Sequence, residues 1–175
     1  MGLTAAGAFL KGSILKYYLG IDPGPLECCG VLFDGESVVE VVNMRTRELA
    51  FWINDSSARM EVACEMVSSY GMAVGAEVFQ TVAQIGVLVG LVPDIRLIPR
   101  GDVKLHLCHS MRAKDANVRQ ALLDLLGPVG TKKNPGPCYG VSKHAWAALA
   151  VAVTAAANPR TEEEQFWHRE LESAK

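Results

Sequence analysis

"YYLGIDPGP", residues 17–25, decides how this chain is read. Two tyrosines, a leucine and an isoleucine make a strand-prone run that ends on a single carboxylate, Asp22, followed at once by Pro23, Gly24 and Pro25. Proline stops a strand because it has no ladder donor to offer. Asp22 is then either turn chemistry or a functional group displayed at the end of a buried strand, and the rest of the sequence has to choose.

At 175 residues, half of them hydrophobic and 21% charged, the chain reads as one compact domain. We place that domain at residues 17–158, between a flexible N-terminal extension (1–16) and a charged C-terminal tail (159–175). The formal net charge of −2 carries no overall basic character, so contact with nucleic acid has to come from a local patch. Five cysteines (28, 29, 64, 108 and 138) without a CxxC pair read as free thiols in a reducing, cytoplasmic setting. The opening residues lack the basic start of a signal peptide, and the apolar run 145–157 is too short to span a bilayer.

Further along, residues 28–43 hold two β-rich runs around Asp34-Gly35, a hairpin signal, so the chain opens with a three-strand meander. A helix or loop follows over 45–55, and 61–69 reads as a fourth, buried strand broken by Gly71. The sequence then predicts an apolar helix over 73–92, a short strand over 94–99, a helix or extended loop over 102–111 and an amphipathic helix over 114–127. A basic Pro/Gly loop (130–140) leads to a small-residue helix over 142–157, with Ser142 as its N-cap. The expected fold class is α/β: a mixed sheet of an opening meander and βα units, with helices on both faces.

Glu65 is the second carboxylate out of place, inside "VACEMV", where burial is costly unless the charge is paired or bound to a metal. If the first and fourth strands are neighbours, Asp22 and Glu65 share one rim of the sheet. Hard cations such as Mg²⁺ or Mn²⁺ take such oxygen ligands, and two ions about 3.5–4 Å apart can drive phosphodiester hydrolysis. His144, at the start of the last helix, is the third candidate, as a nitrogen ligand or proton carrier.

The runs "GIDPG" (20–24), "EMVSSYGMAVGAEVF" (65–79), "DVKLHLCHSMRAKDANVRQALLD" (102–124) and "PGPCYGVSKHAWAALAVAV" (135–153) occur in that order. Together they resemble the RuvC-like Holliday junction resolvases of bacteriophage genomes, in the RNase H-like superfamily. The resemblance covers about residues 17–157. It implies an RNase H-like fold and a dimeric, metal-dependent endonuclease that nicks four-way DNA junctions, working in the cytoplasm of a bacterial host if phage-encoded. Asp22 then matches the first-strand aspartate, Glu65 the fourth-strand glutamate, and His144 the histidine that opens the last helix in some members. Those members carry an aspartate three residues further on, where this chain has Ala147. Asp115 and Asp102 are the nearby carboxylates available to complete the ligand set, although Asp115 also reads as a charge favouring a helix start. With three ligands the site holds one metal well and a second weakly.

The most basic part of the chain lies next to these residues. Arg100, Lys104, Arg112, Lys114, Arg119, Lys132 and Lys133 are candidate phosphate contacts, which give affinity without sequence information. Apolar residues around most of the 73–92 helix suggest a homodimer surface. The alternatives are a junction-binding protein without cleavage, an RNase H-like nuclease on another branched DNA or RNA, and an actin-like nucleotide-binding fold. For the last, the chain is too short and has no second phosphate turn.

Overall fold

A computed structural model describes residues 17–56, 60–68, 73–158 and 160. The expected extension over 1–16, nearly all of the charged tail and the Gly71 break lie outside the described residues. In chain order the elements are β1 (Tyr17–Pro23), β2 (Glu27–Phe33), β3 (Val38–Arg45), α1 (Thr46–Asp55), β4 (Met60–Met66), α2 (Ala76–Leu91), β5 (Arg96–Pro99), α3 (Arg100–Cys108), α4 (Asp115–Leu126) and α5 (Ala145–Ala157). No described helix is long and apolar enough to cross a membrane.

The five strands form one sheet in the order β3-β2-β1-β4-β5. β1, β2 and β3 are antiparallel neighbours, the expected meander, whereas β1–β4 and β4–β5 are parallel. The β2–β3 turn is built by Asp34, whose Oδ1 accepts the backbone N–H groups of Glu36 and Ser37 at 2.9 and 2.7 Å. Gly35 takes a φ of 101°, open to glycine at little cost.

Strand alternation sorts the core into two layers. Leu19, Ile21, Val62 and Cys64 point to one face, where α1 and α2 cover them with Leu49, Ile53, Ile85 and Leu88. Residues of the opposite parity, such as Ala63 and Val31, meet α3, α4 and α5 through Val103, Val118, Leu122 and Leu149. The mixed α/β sheet with helices on both faces is therefore as expected. α5 lies very close to β1: a Cβ on Gly20 would run into the Ala148 carbonyl oxygen and the Ala152 backbone nitrogen. Alanines at these positions of α5 are what permit that approach.

Several boundaries differ from the sequence reading. β4 ends at Met66 rather than at 69, and α2 begins at Ala76 rather than at 73. The segment left open between helix and extended loop is α3, closed by His109 at a left-handed φ of 54°. Ser142 is not the N-cap of α5. Its carbonyl accepts the Ala145 N–H at 2.9 Å, Lys143 turns left-handed at φ 46°, and His144 becomes the cap residue.

Candidate active site

Parity and register bring the two anomalous carboxylates together. Asp22 shares its side of β1 with Gly20, and Glu65 shares its side of β4 with Ala63, so both face the α3–α5 layer. Gly20 pairs with Ala63 and Ile21 with Cys64, which leaves Asp22 and Glu65 at the ends of adjacent parallel strands. On the far side of β4, Glu65 pairs with Ile98 and Met66 with Pro99. Arg100, the next residue, begins α3 at the same rim.

One polar pair and one bridged cluster result. His144 Nδ1 lies 3.0 Å from Asp22 Oδ2, joining the start of α5 to the end of β1. Arg100 Nη1 donates to Glu65 Oε1 at 2.6 Å, while its Nη2 donates to Asp115 Oδ1 at 2.7 Å. Lys104 Nζ approaches the same Asp115 oxygen at 3.7 Å. All six side chains line one cleft of about 630 Å³, along with Cys29, Asn43, Lys143, Trp146 and Ala147.

Burial sets the electrostatics. Glu65 is only 7% exposed. Desolvation lifts the Asp22 carboxyl above its ordinary value; the hydrogen bond and charge of His144 and the charge of Arg100 oppose this without cancelling it, and Asp115 adds to it. Glu65 is raised in the same way, by burial first, against the charge and hydrogen bond of Arg100 and with help from Asp22 and Asp115. Burial pulls the Arg100 guanidinium down, but Glu65 and Asp115 outweigh it and hold it above its usual value. Cys29, opposite Asp22 in the β1–β2 register, is pushed up to about 11 by burial and then by Asp22, so it is a neutral thiol.

The donor types, two carboxylates and an imidazole, suit one divalent cation, although among the described residues no three His, Cys, Asp or Glu groups stand together as a metal site. Two carboxylates whose charge is penalised by burial, with a nitrogen donor alongside, are what a hard cation relieves. These donors do not suit two. Arg100 already engages Glu65 and Asp115, and Ala147, lining the cleft just past His144, offers no ligand.

The residues singled out from sequence are thus divided. Asp22, Glu65, His144, Asp115, Arg100 and Lys104 converge, whereas Arg112, Lys114, Lys132 and Lys133 are exposed and do not line the cleft. The Arg119 guanidinium sits over the Trp146 ring, 4.9 Å from its centroid. Lys143, Asn43 and Cys29 were not singled out. For Lys143 a signal existed, since it directly precedes His144; for Asn43 and Cys29 the site depends on β1–β2–β3 pairing that carries no local chemical mark.

A mixed five-stranded sheet in this order, with helices on both faces, is a RuvC-like fold. No family model and no curated protein matches the sequence. Among solved structures the chain is similar to RuvC of Thermus thermophilus, at 17% identity and a TM-score of 0.58, covering 80% of this chain and 93% of that one. It is also similar to T. thermophilus RuvC in complex with Holliday junction substrate, at 17% identity and a TM-score of 0.55, over 80% of this chain and 92% of that one.

Proposed function

We propose that this protein is a metal-dependent, structure-selective DNA endonuclease that resolves four-way junctions by phosphodiester hydrolysis, acting as a homodimer. The observation that carries the reading is the meeting of Asp22, Glu65 and His144, far apart in sequence, at one rim of the sheet. The fold similarity to a RuvC solved with Holliday junction substrate supports branched DNA as the substrate class.

Asp22 and Glu65, with His144, are the residues that would hold a Mg²⁺ or Mn²⁺ ion. Such an ion supplies Lewis-acid charge where the scissile phosphate gains negative charge. His144 is 80% exposed at its side chain, with Nδ1 on Asp22, so it can exchange a proton with solvent or substrate while Asp22 fixes its ring. Arg100 and Lys104 place permanent positive charge at the same cleft for the phosphate backbone. Lys143, exposed beside His144, extends this charge toward solvent. Arg112, Lys114, Arg119, Lys132 and Lys133 serve as outlying backbone contacts in this reading.

The test is nicking of a synthetic four-way junction in Mn²⁺. Wild type nicks, and Asp22→Asn loses activity by more than about 100-fold, beyond the usual effect of changing a mere outer-shell partner. Full nicking by Asp22→Asn sinks the proposal. A second reading, a junction-binding protein without cleavage, draws on Ala147 and on the engagement of Glu65 and Asp115 by Arg100. It predicts tight junction binding in EDTA and no product with any divalent cation.

A further inference from the structure

Arg100 does something at this cleft that a surface phosphate contact does not. Its two terminal nitrogens donate to carboxylates from different elements, Glu65 of β4 at 2.6 Å and Asp115 of α4 at 2.7 Å. Its side chain is 33% exposed, and Glu65 is nearly enclosed, so the pair is not a solvent-screened surface bridge. The backbone fixes this arrangement, because Arg100 follows directly on the β4–β5 register that sets Glu65 beside Ile98. A guanidinium stays charged at any accessible pH, so it can leave these carboxylates only by swinging away.

We propose that Arg100 is a resident cation: its guanidinium fills the place between Glu65 and Asp115 that a second divalent ion would take, so the site loads a single ion, at the Asp22 side. The ion at Asp22 rests on the nuclease reading above; the Arg100 bridge itself does not. Two further observations agree. The cleft is lined by four carboxylates, Asp22, Glu27, Glu65 and Asp115, against three basic side chains, Arg100, Lys104 and Lys143. That excess of one negative charge is already more than cancelled by one divalent ion, which leaves little to hold a second. The cleft also lacks the carboxylate at Ala147 that would help anchor another ion. Arg100 thereby supplies, from the protein itself, positive charge that a two-ion site takes from solution.

The experiment is a Mn²⁺ titration of the metal-stripped full-length protein without DNA, with free Mn²⁺ read by electron paramagnetic resonance. Wild type takes up one ion per chain, and Asp22→Asn removes it. Arg100→Ala and Arg100→Gln take up two, while Arg100→Lys, which keeps the charge, stays at one. Asp115→Asn leaves the wild-type ion in place, an independent check if the Arg100 variants fail to fold by circular dichroism. A wild-type count of zero or two, an unchanged count in folded Arg100→Ala and Arg100→Gln, or loss of the ion in Asp115→Asn overturns the inference. The nuclease reading fails differently: a wild type that binds one ion yet leaves the four-way junction intact sinks that reading and leaves the ion count standing.

Discussion

At Asp22, a carboxylate with 14% of its side chain exposed sits between burial, which disfavours its charge, and His144 Nδ1 at 3.0 Å, which favours it. Burial prevails, so the folded carboxyl titrates above its ordinary value of 3.8. The folded state therefore holds its proton more tightly than the unfolded chain, and stability is lost as pH rises through the folded value. Asp22→Asn removes that loss. Its melting temperature is expected to exceed wild type at pH 8, with the gain shrinking toward pH 4; a variant less stable than wild type at pH 8 contradicts this account. A gain in stability from a change that ends activity is what a strained functional carboxylate predicts. Asp22 and Glu65 were legible in the sequence because each interrupts an apolar run. The bridging role of Arg100 was not, because charge alone cannot distinguish a phosphate contact from an ion pair created by the register of two strands.

Among the elements, the contact of β1 with α5 positions the site, since it sets Asp22 against His144. Gly20 faces the α5 backbone with no room for a side chain. Gly20→Ala is expected to cost about 3 kcal/mol or more, the upper part of the range for overpacking, because backbone rather than a flexible side chain blocks the methyl group. At about 2–4 °C per kcal/mol for a chain of this size, the melting temperature falls by roughly 6–12 °C. An unchanged melting curve would show that α5 can back away from β1. The strands were legible from alternation, the Asp34-Gly35 turn and Pro23. The start of α5 is not legible from Ser142, because a serine caps a helix only where its hydroxyl can accept a free N–H of the first turn, and here Lys143 turns left-handed between Ser142 and the helix.

For the molecule as a whole, the two faces of the sheet are unequal. The site opens on the α3–α5 side, and the α1–α2 side carries exposed apolar residues, with Phe51 of α1 72% and Phe79 of α2 65% exposed and Val82 and Val89 further along α2. An apolar helix face of this kind fits a second copy of the chain. Sedimentation equilibrium at tens of micromolar is expected to give a dimer, and Phe79→Glu a monomer. A wild-type monomer under those conditions removes the dimer from the account. The sequence showed the excess apolar area on this helix, but the part that stays exposed depends on how α1 packs against α2, through contacts such as the Thr46 hydroxyl donating to Gln84 Oε1 at 2.6 Å.

Whether Asp22 and its neighbours form a nuclease site is read out by single-turnover nicking of a four-way junction in Mn²⁺, wild type beside Asp22→Asn. Wild type is expected to yield nicked strands, and Asp22→Asn a rate more than about 100-fold lower with junction binding retained. Equal cleavage by the two proteins, or none by wild type while it binds the junction, would contradict the nuclease reading.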